Sequence, residues 1–150
     1  MSNIRLAGTS ILIITILAGI PHIFARYSPS DKAPSKSFSY SALLGDWKAS
    51  YDSEEFRGEV IYQFREKEGS LKAYSIKLTD ENGNSMKDNS LVLVLTSFEE
   101  KQGTARYGLE YEGERYEVES EIELIDDSKL QISYDYFGYS DTEYWHKISK

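Results

Sequence analysis

The chain of 150 residues has no cysteine and only two histidines. The lack of cysteine excludes disulfide bonds, thiolate metal sites, iron–sulfur clusters and cysteine nucleophiles. Two histidines are too few for a histidine-rich metal site, and we expect neither a metal nor another cofactor. Positive charge is also scarce, with 17 Lys and Arg against 25 Asp and Glu. This balance argues against nucleic-acid binding, which needs a basic surface.

An apolar leader opens the sequence. Residues 6–25 are twenty residues without a formal charge, and Arg5 precedes them. A positive start followed by an apolar run is typical of a secretory signal, here with cleavage near Ala25. Twenty apolar residues also suffice to cross a bilayer as a retained signal anchor. Both alternatives predict an N-terminal hydrophobic helix within 1–25 and an extracytoplasmic protein, periplasmic or secreted. The second alternative also keeps the protein at the membrane.

A change of composition separates the leader from the rest of the chain. Residues 26–41 contain six serines and two of the three prolines, a composition typical of a flexible linker because it offers little apolar surface to bury. The remaining segment, 42–150, is predicted to be one domain. It is strongly acidic: residues 38–150 hold 13 Lys and Arg against 24 Asp and Glu. That surplus of negative charge is suited to a basic partner.

Apolar and polar residues alternate through most of this domain, as they do in half-buried β-strands. Trp47, Ala49 and Tyr51, for example, alternate with polar neighbours. The pattern predicts eight strands joined by short turns without a crossover helix, which makes neighbouring strands antiparallel. Such a meander forms either a closed up-and-down barrel, which we favour because it has no exposed edge, or a two-sheet sandwich. An outer-membrane barrel is disfavoured because one strand face carries glutamate at every second position.

The first strand opens with Gly45-Asp46-Trp47, which resembles the Gly-x-Trp motif of lipocalin-like (calycin-type) barrels. The resemblance implies that Gly45 permits a bend into the strand and that Trp47 plugs one end of the barrel. It also implies that a cation from the last strand, here Lys147, packs on the Trp47 ring, a physically favourable contact. One departure concerns the loop after the first strand, which forms a lid in lipocalins and is reduced here to residues 52–55.

Tyrosine is unusually frequent, with twelve in the chain, and Tyr51 and Tyr74 are among those predicted to point into the barrel. Tyrosine rings with hydroxyls suit a cavity that orients an amphipathic ligand. The alternative is that the rings simply fill the barrel. The predicted ligand-binding residues are Trp47, Tyr62, Tyr107, Tyr116 and Tyr134.

Two surface features offer an alternative function. Glutamates on one face of a strand could contact a basic protein, or merely keep that face solvated. An aromatic segment near the C-terminus could form an exposed platform for a partner, or pin a hairpin through cross-strand ring pairs. The predicted partner-binding residues are Glu117, Glu119, Glu121, Phe137 and Trp145.

Enzyme motifs are lacking, and we predict a non-enzymatic protein. The sequence has no Gly-x-Ser-x-Gly nucleophile elbow and no phosphate-binding glycine loop. His146 is the only histidine of the domain. The leading hypothesis is therefore an exported, lipocalin-like barrel that binds a small apolar or amphipathic ligand. The alternative hypothesis is an envelope protein-interaction module, such as an inhibitor, immunity or assembly factor.

Overall fold

The protein forms a closed antiparallel barrel in which each of eight strands pairs with its neighbours in the sequence and the last pairs with the first. The computed structural model describes residues 40–148. A short 3-10 helix precedes the strands. The elements are the helix Ser41–Leu43, β1 Gly45–Asp52, β2 Arg57–Lys67, β3 Ser70–Asp80, β4 Ser85–Glu99, β5 Gln102–Tyr111, β6 Glu114–Asp126, β7 Lys129–Tyr136 and β8 Tyr139–Lys147. The predicted up-and-down barrel is confirmed, and the sandwich alternative is not.

The predicted leader, 1–25, lies outside the described residues, as does nearly all of the predicted linker. The linker's last residue, Ser41, begins the 3-10 helix, and Tyr40 packs against the barrel core. Between residues 40 and 148 no helix is long and apolar enough to cross a membrane.

One end of the barrel is closed by Trp47, which is fully buried. Its indole N–H donates to the Leu43 carbonyl in the 3-10 helix at 2.8 Å. The Lys147 ammonium lies 5.3 Å from the centre of the Trp47 ring and donates to the Ala42 carbonyl at 2.7 Å. Gly45 has a φ of +109°, a backbone conformation that favours glycine. The contacts implied by the Gly-x-Trp resemblance are thus present, and they form the closed end.

Strand β3 contains irregularities that change which side chains point inward. Its pairing with β2 and β4 shifts register within residues 73–77, and one extra residue in a strand moves the following side chains to the opposite face. Tyr74 lies opposite the outward-facing Gln63. The Arg65 guanidinium covers its ring, 5.0 Å from the ring centre. The predicted inward position of Tyr74 is therefore wrong, and Ala73 and Ser75 face the interior instead.

The other end of the barrel is split. β1 pairs with β8 only at two positions, Trp47 with Lys147 and Lys48 with His146. β6 pairs with β7 over residues 120–126 but not over 114–119. The β7–β8 hairpin stays fully paired within itself as far as its two-residue turn. Its outer half, residues 135–142, therefore separates from both neighbouring strands and leaves an opening on each side.

Candidate functional site

The middle of the barrel is occupied by aromatic rings from four strands. Trp145 of β8 stacks on Tyr62 of β2 with ring centres 4.0 Å apart. Tyr107 of β5 meets the edge of Trp145 at 6.4 Å and lies 5.1 Å from Tyr134 of β7. All four side chains are buried. Because these rings meet across the barrel, they fill its centre, as in the filled-barrel alternative.

Glu143 of β8 lies against this ring cluster, and its carboxylate accepts four hydrogen bonds. Its Oε2 atom accepts from the hydroxyls of Tyr51 and Tyr107, both at 2.9 Å, and from the Trp145 indole N–H at 3.1 Å. Its Oε1 atom accepts from the Tyr134 hydroxyl at 3.0 Å. The Tyr51 and Tyr62 hydroxyls are 2.6 Å apart. Since Tyr51 uses its hydrogen on Glu143, Tyr62 donates to Tyr51.

Neutral hydrogen-bond donors therefore stabilise the charge of Glu143. Burial raises the pKa of its carboxyl above the ordinary value, and the hydrogen bonds from Trp145 and the tyrosines partly oppose that effect. The pKa values of Tyr62, Tyr107 and Tyr134 are raised, first by burial and then by the negative charge of Glu143. Burial also raises the pKa of Tyr51. Hence the tyrosines stay protonated as donors across the physiological range.

Solvent reaches this network through a cleft of about 520 Å³ between β1 and β8, which we call the β1–β8 cleft. It forms where the pairing of the two strands ends. Both inward-facing and outward-facing side chains line it, because the separated strands expose both faces. Its lining includes Tyr51, Asp52, Tyr134, Asp141, Glu143, Tyr144 and His146.

A second groove, of about 620 Å³, lies on the other side of the β7–β8 hairpin, where β6 and β7 separate. Tyr134, Asp141 and Thr142 line both this groove and the β1–β8 cleft. Glu119 and Glu121 also line it. Among residues 40–148 no group of three or more His, Asp or Glu side chains is arranged to hold a metal ion.

The structure brings together three of the five predicted ligand-binding residues. Tyr62, Tyr107 and Tyr134 all belong to the ring cluster around Glu143. Trp47 lies at the closed end against Leu43 instead. Tyr116 lies at the split end, partly buried, with its hydroxyl donating to Glu114 and its ring 5.2 Å from Phe137.

The predicted aromatic platform is divided between the inside and the outside of the barrel. Trp145 is fully buried, so the prediction that it belongs to an exposed platform is wrong. It lies on the same face of β8 as Glu143, and that face points inward. Phe137 and Tyr139, by contrast, are 64% and 68% exposed at the tip of the β7–β8 hairpin.

The predicted acidic row lies on the outside of β6. Glu117, Glu119 and Glu121 are exposed. Glu117 forms an ion pair with Arg106 of the neighbouring strand at 3.2 Å, so Glu119 and Glu121 are the better candidates for contact with another molecule. Both also border the groove beside β7.

Sequence reasoning did not assign Glu143 or Tyr51 to a site. Glutamate on a strand is usually solvent-facing. The available signal was its spacing from Trp145: residues two apart on a strand share a face. An inward Trp145 therefore requires an inward Glu143.

Comparison with known proteins leaves the chain without an assigned relative: no protein-family model, no curated protein and no solved structure matches it.

Proposed function

We propose that this chain is a lipocalin-like, non-enzymatic barrel that binds a small amphipathic molecule in the β1–β8 cleft. The observation that carries the proposal is the partly buried Glu143, which lies against tyrosine and tryptophan rings at the floor of an open cleft. Clefts of several hundred Å³ that combine apolar walls with a few fixed polar groups are typical small-molecule sites. The closed end built by Trp47 and Lys147 supports the lipocalin-like assignment.

The site differs from a ligand cup in the barrel centre. Stacked rings occupy that centre, so the ligand is proposed to lie at the side of the barrel, where β8 leaves β1. There the polar part of the ligand would meet Glu143 and Tyr134, and its apolar part would lie along the Tyr51 ring. With the predicted leader, such a protein would capture its ligand outside the cytoplasm.

Ligand titration tests this proposal. The full-length chain is titrated with a panel of amphipathic aromatic and aliphatic compounds while tryptophan fluorescence is recorded. We expect a saturable change, because Trp145 donates to Glu143 and a ligand at Glu143 alters its surroundings. Tyr134→Phe, which removes a hydroxyl that the polar part of the ligand would meet, is expected to weaken binding about 3–10-fold. If no compound gives a saturable change, or if Tyr134→Phe binds every compound as the wild type does, the proposal is wrong.

A second candidate function, an interaction module, is favoured by the hairpin tip. Phe137 is exposed and has a φ of +47°, a left-handed conformation that costs a bulky residue about 1–2 kcal/mol. Glycine or asparagine would be unstrained in this turn. Phe137 and Tyr139 are exposed together at this tip, and exposed aromatic side chains are suited to contact with a partner protein.

The variant Phe137→Asn tests this second function. We expect its stability to stay within about 1 kcal/mol of the wild type, because relief of backbone strain offsets the lost contact with Tyr116. Salt-sensitive capture of a basic envelope protein should be lost in the same variant, and Glu119→Lys with Glu121→Lys should weaken it as well. Capture that survives both changes would reject an interface at this hairpin and groove.

A further inference from the structure

At the floor of the β1–β8 cleft, the described side chains supply one hydrogen-bond donor fewer than the carboxylate oxygens can accept. The Tyr134 hydroxyl carries one hydrogen, yet two carboxylate oxygens lie within its range: Glu143 Oε1 at 3.0 Å and Asp141 Oδ2 at 3.3 Å. Glu143 Oε2, in contrast, receives three donors. A carboxylate oxygen has two lone pairs. Glu143 Oε1 therefore keeps acceptor capacity that its described protein contacts do not use.

Acidic side chains predominate around this point. Among the described residues that line the cleft, Asp52, Asp141 and Glu143 are acids, and His146 is the one basic residue. Asp52 forms an ion pair with Arg57 at 3.0 Å, so the acids that matter for a ligand are Asp141 and Glu143. Asp141 and Glu143 approach the same hydroxyl, so their negative charges repel each other at short range. A positively charged donor placed beside both carboxylates would satisfy the free lone pair and remove the repulsion.

The aromatic walls indicate what kind of cation fits. Tyr51 and Tyr134 line the same cleft, and tyrosine rings attract organic cations while also burying apolar groups. A bare divalent ion such as Ca²⁺ instead takes six to eight oxygen ligands. The volume of about 520 Å³ suits a molecule larger than an ion. A charged amine carried on an apolar body matches both the acids and the rings.

We infer that the ligand class of the β1–β8 cleft is an organic primary ammonium. Its N–H groups donate to Glu143 Oε1 and to Asp141, and its apolar body lies along the tyrosine rings. This inference rests on the proposed function and narrows it, because a small amphipathic ligand need not be charged.

Three matched probes test the inference: 2-phenylethylamine, 2-phenylethanol and phenylacetate, which share an aromatic body and differ in charge. Binding to the full-length chain is measured by calorimetry at neutral pH. We expect the amine to bind roughly tenfold tighter than the alcohol, because a charged hydrogen bond contributes more than a neutral one. Phenylacetate is expected to bind more weakly than the alcohol, because the cleft is acidic.

Charge-matched variants complete the test. Glu143→Gln and, separately, the exposed Asp141→Asn should bring the amine and alcohol affinities together. Glu81→Gln removes the same charge at an exposed turn outside both the cleft and the groove beside β7 and should leave the tenfold preference. Equal binding of the three probes to the wild type would overturn the ammonium inference and leave small-molecule binding intact. Tighter binding of CaCl₂ than of the amine would also overturn it. Absence of binding by every probe and by the wider ligand panel would overturn the proposed function as well.

Discussion

Replacement of Glu143 by leucine is expected to destabilise the barrel by about 3–5 kcal/mol. Leucine has a similar volume, so the change adds little cavity. It removes the acceptor for four donors, namely three tyrosine hydroxyls and the Trp145 indole N–H. A buried donor without a partner costs about 1–3 kcal/mol, and the cleft allows water to rescue part of the total. Chemical denaturation followed by tryptophan fluorescence measures the loss.

The matched control is Glu143→Gln, which keeps an acceptor oxygen and removes the charge. We expect it to stay within about 1 kcal/mol of the wild type at neutral pH, because its amide oxygen can take the three-donor position and its amide group can donate to Tyr134. The raised pKa of Glu143 adds a pH signature. The stability that the Glu143 carboxyl contributes is complete below the unfolded pKa of 4.5 and is lost as pH rises through the folded pKa. The free energy of unfolding of Glu143→Gln, relative to that of the wild type, should therefore increase between acidic and neutral pH. A Leu variant as stable as the wild type would show that the donors do not depend on Glu143.

The barrel is readable in the sequence because its inner face is apolar at every second position over most strands. Trp47, Tyr62 and Tyr107 follow that alternation without interruption, and all three are fully buried. Tyr74 does not follow it, because the register shifts in β3 depend on how that strand pairs with β2 and β4. The alternation of apolar and polar residues within one strand does not predict such irregularities.

The alternation pattern predicts only part of the site. A shared inner face was enough to bring Tyr62, Tyr107 and Tyr134 together. The position of Glu143 was not foreseen, because an inward carboxylate is unfavourable until its donors are known, and these come from strands far apart in the sequence. The cleft itself arises where β1 and β8 stop pairing. The end of that pairing is a property of the closed barrel and cannot be seen in either strand alone.

Alkaline solution is expected to unfold the barrel steeply. The pKa values of Tyr51, Tyr62, Tyr107 and Tyr134 are raised in the folded state above the ordinary value of 10.0. The stability that these hydroxyls contribute is therefore complete below pH 10 and is lost as pH rises above it, because the unfolded chain releases protons that the folded chain retains. Each group lowers the free energy of unfolding by about 1.4 kcal/mol per pH unit. Together the four should lower it by about 5.5 kcal/mol per pH unit above pH 10.

The variant Tyr107→Phe separates this effect from the titration of lysines. At neutral pH the variant should be less stable than the wild type by about 1.5–3 kcal/mol, because it lacks a hydrogen bond to a charged carboxylate. Above pH 10 the slope of its stability with pH should be smaller than the wild-type slope by about 1.4 kcal/mol per pH unit. The stabilities of the two proteins therefore converge as pH rises. Tyr139→Phe removes an exposed hydroxyl outside the network and should keep the wild-type slope. Denaturation curves recorded at intervals up to pH 11.5 test the difference. Parallel stability profiles for the wild type and Tyr107→Phe would show that the Tyr107 hydroxyl ionises as readily in the barrel as in the unfolded chain.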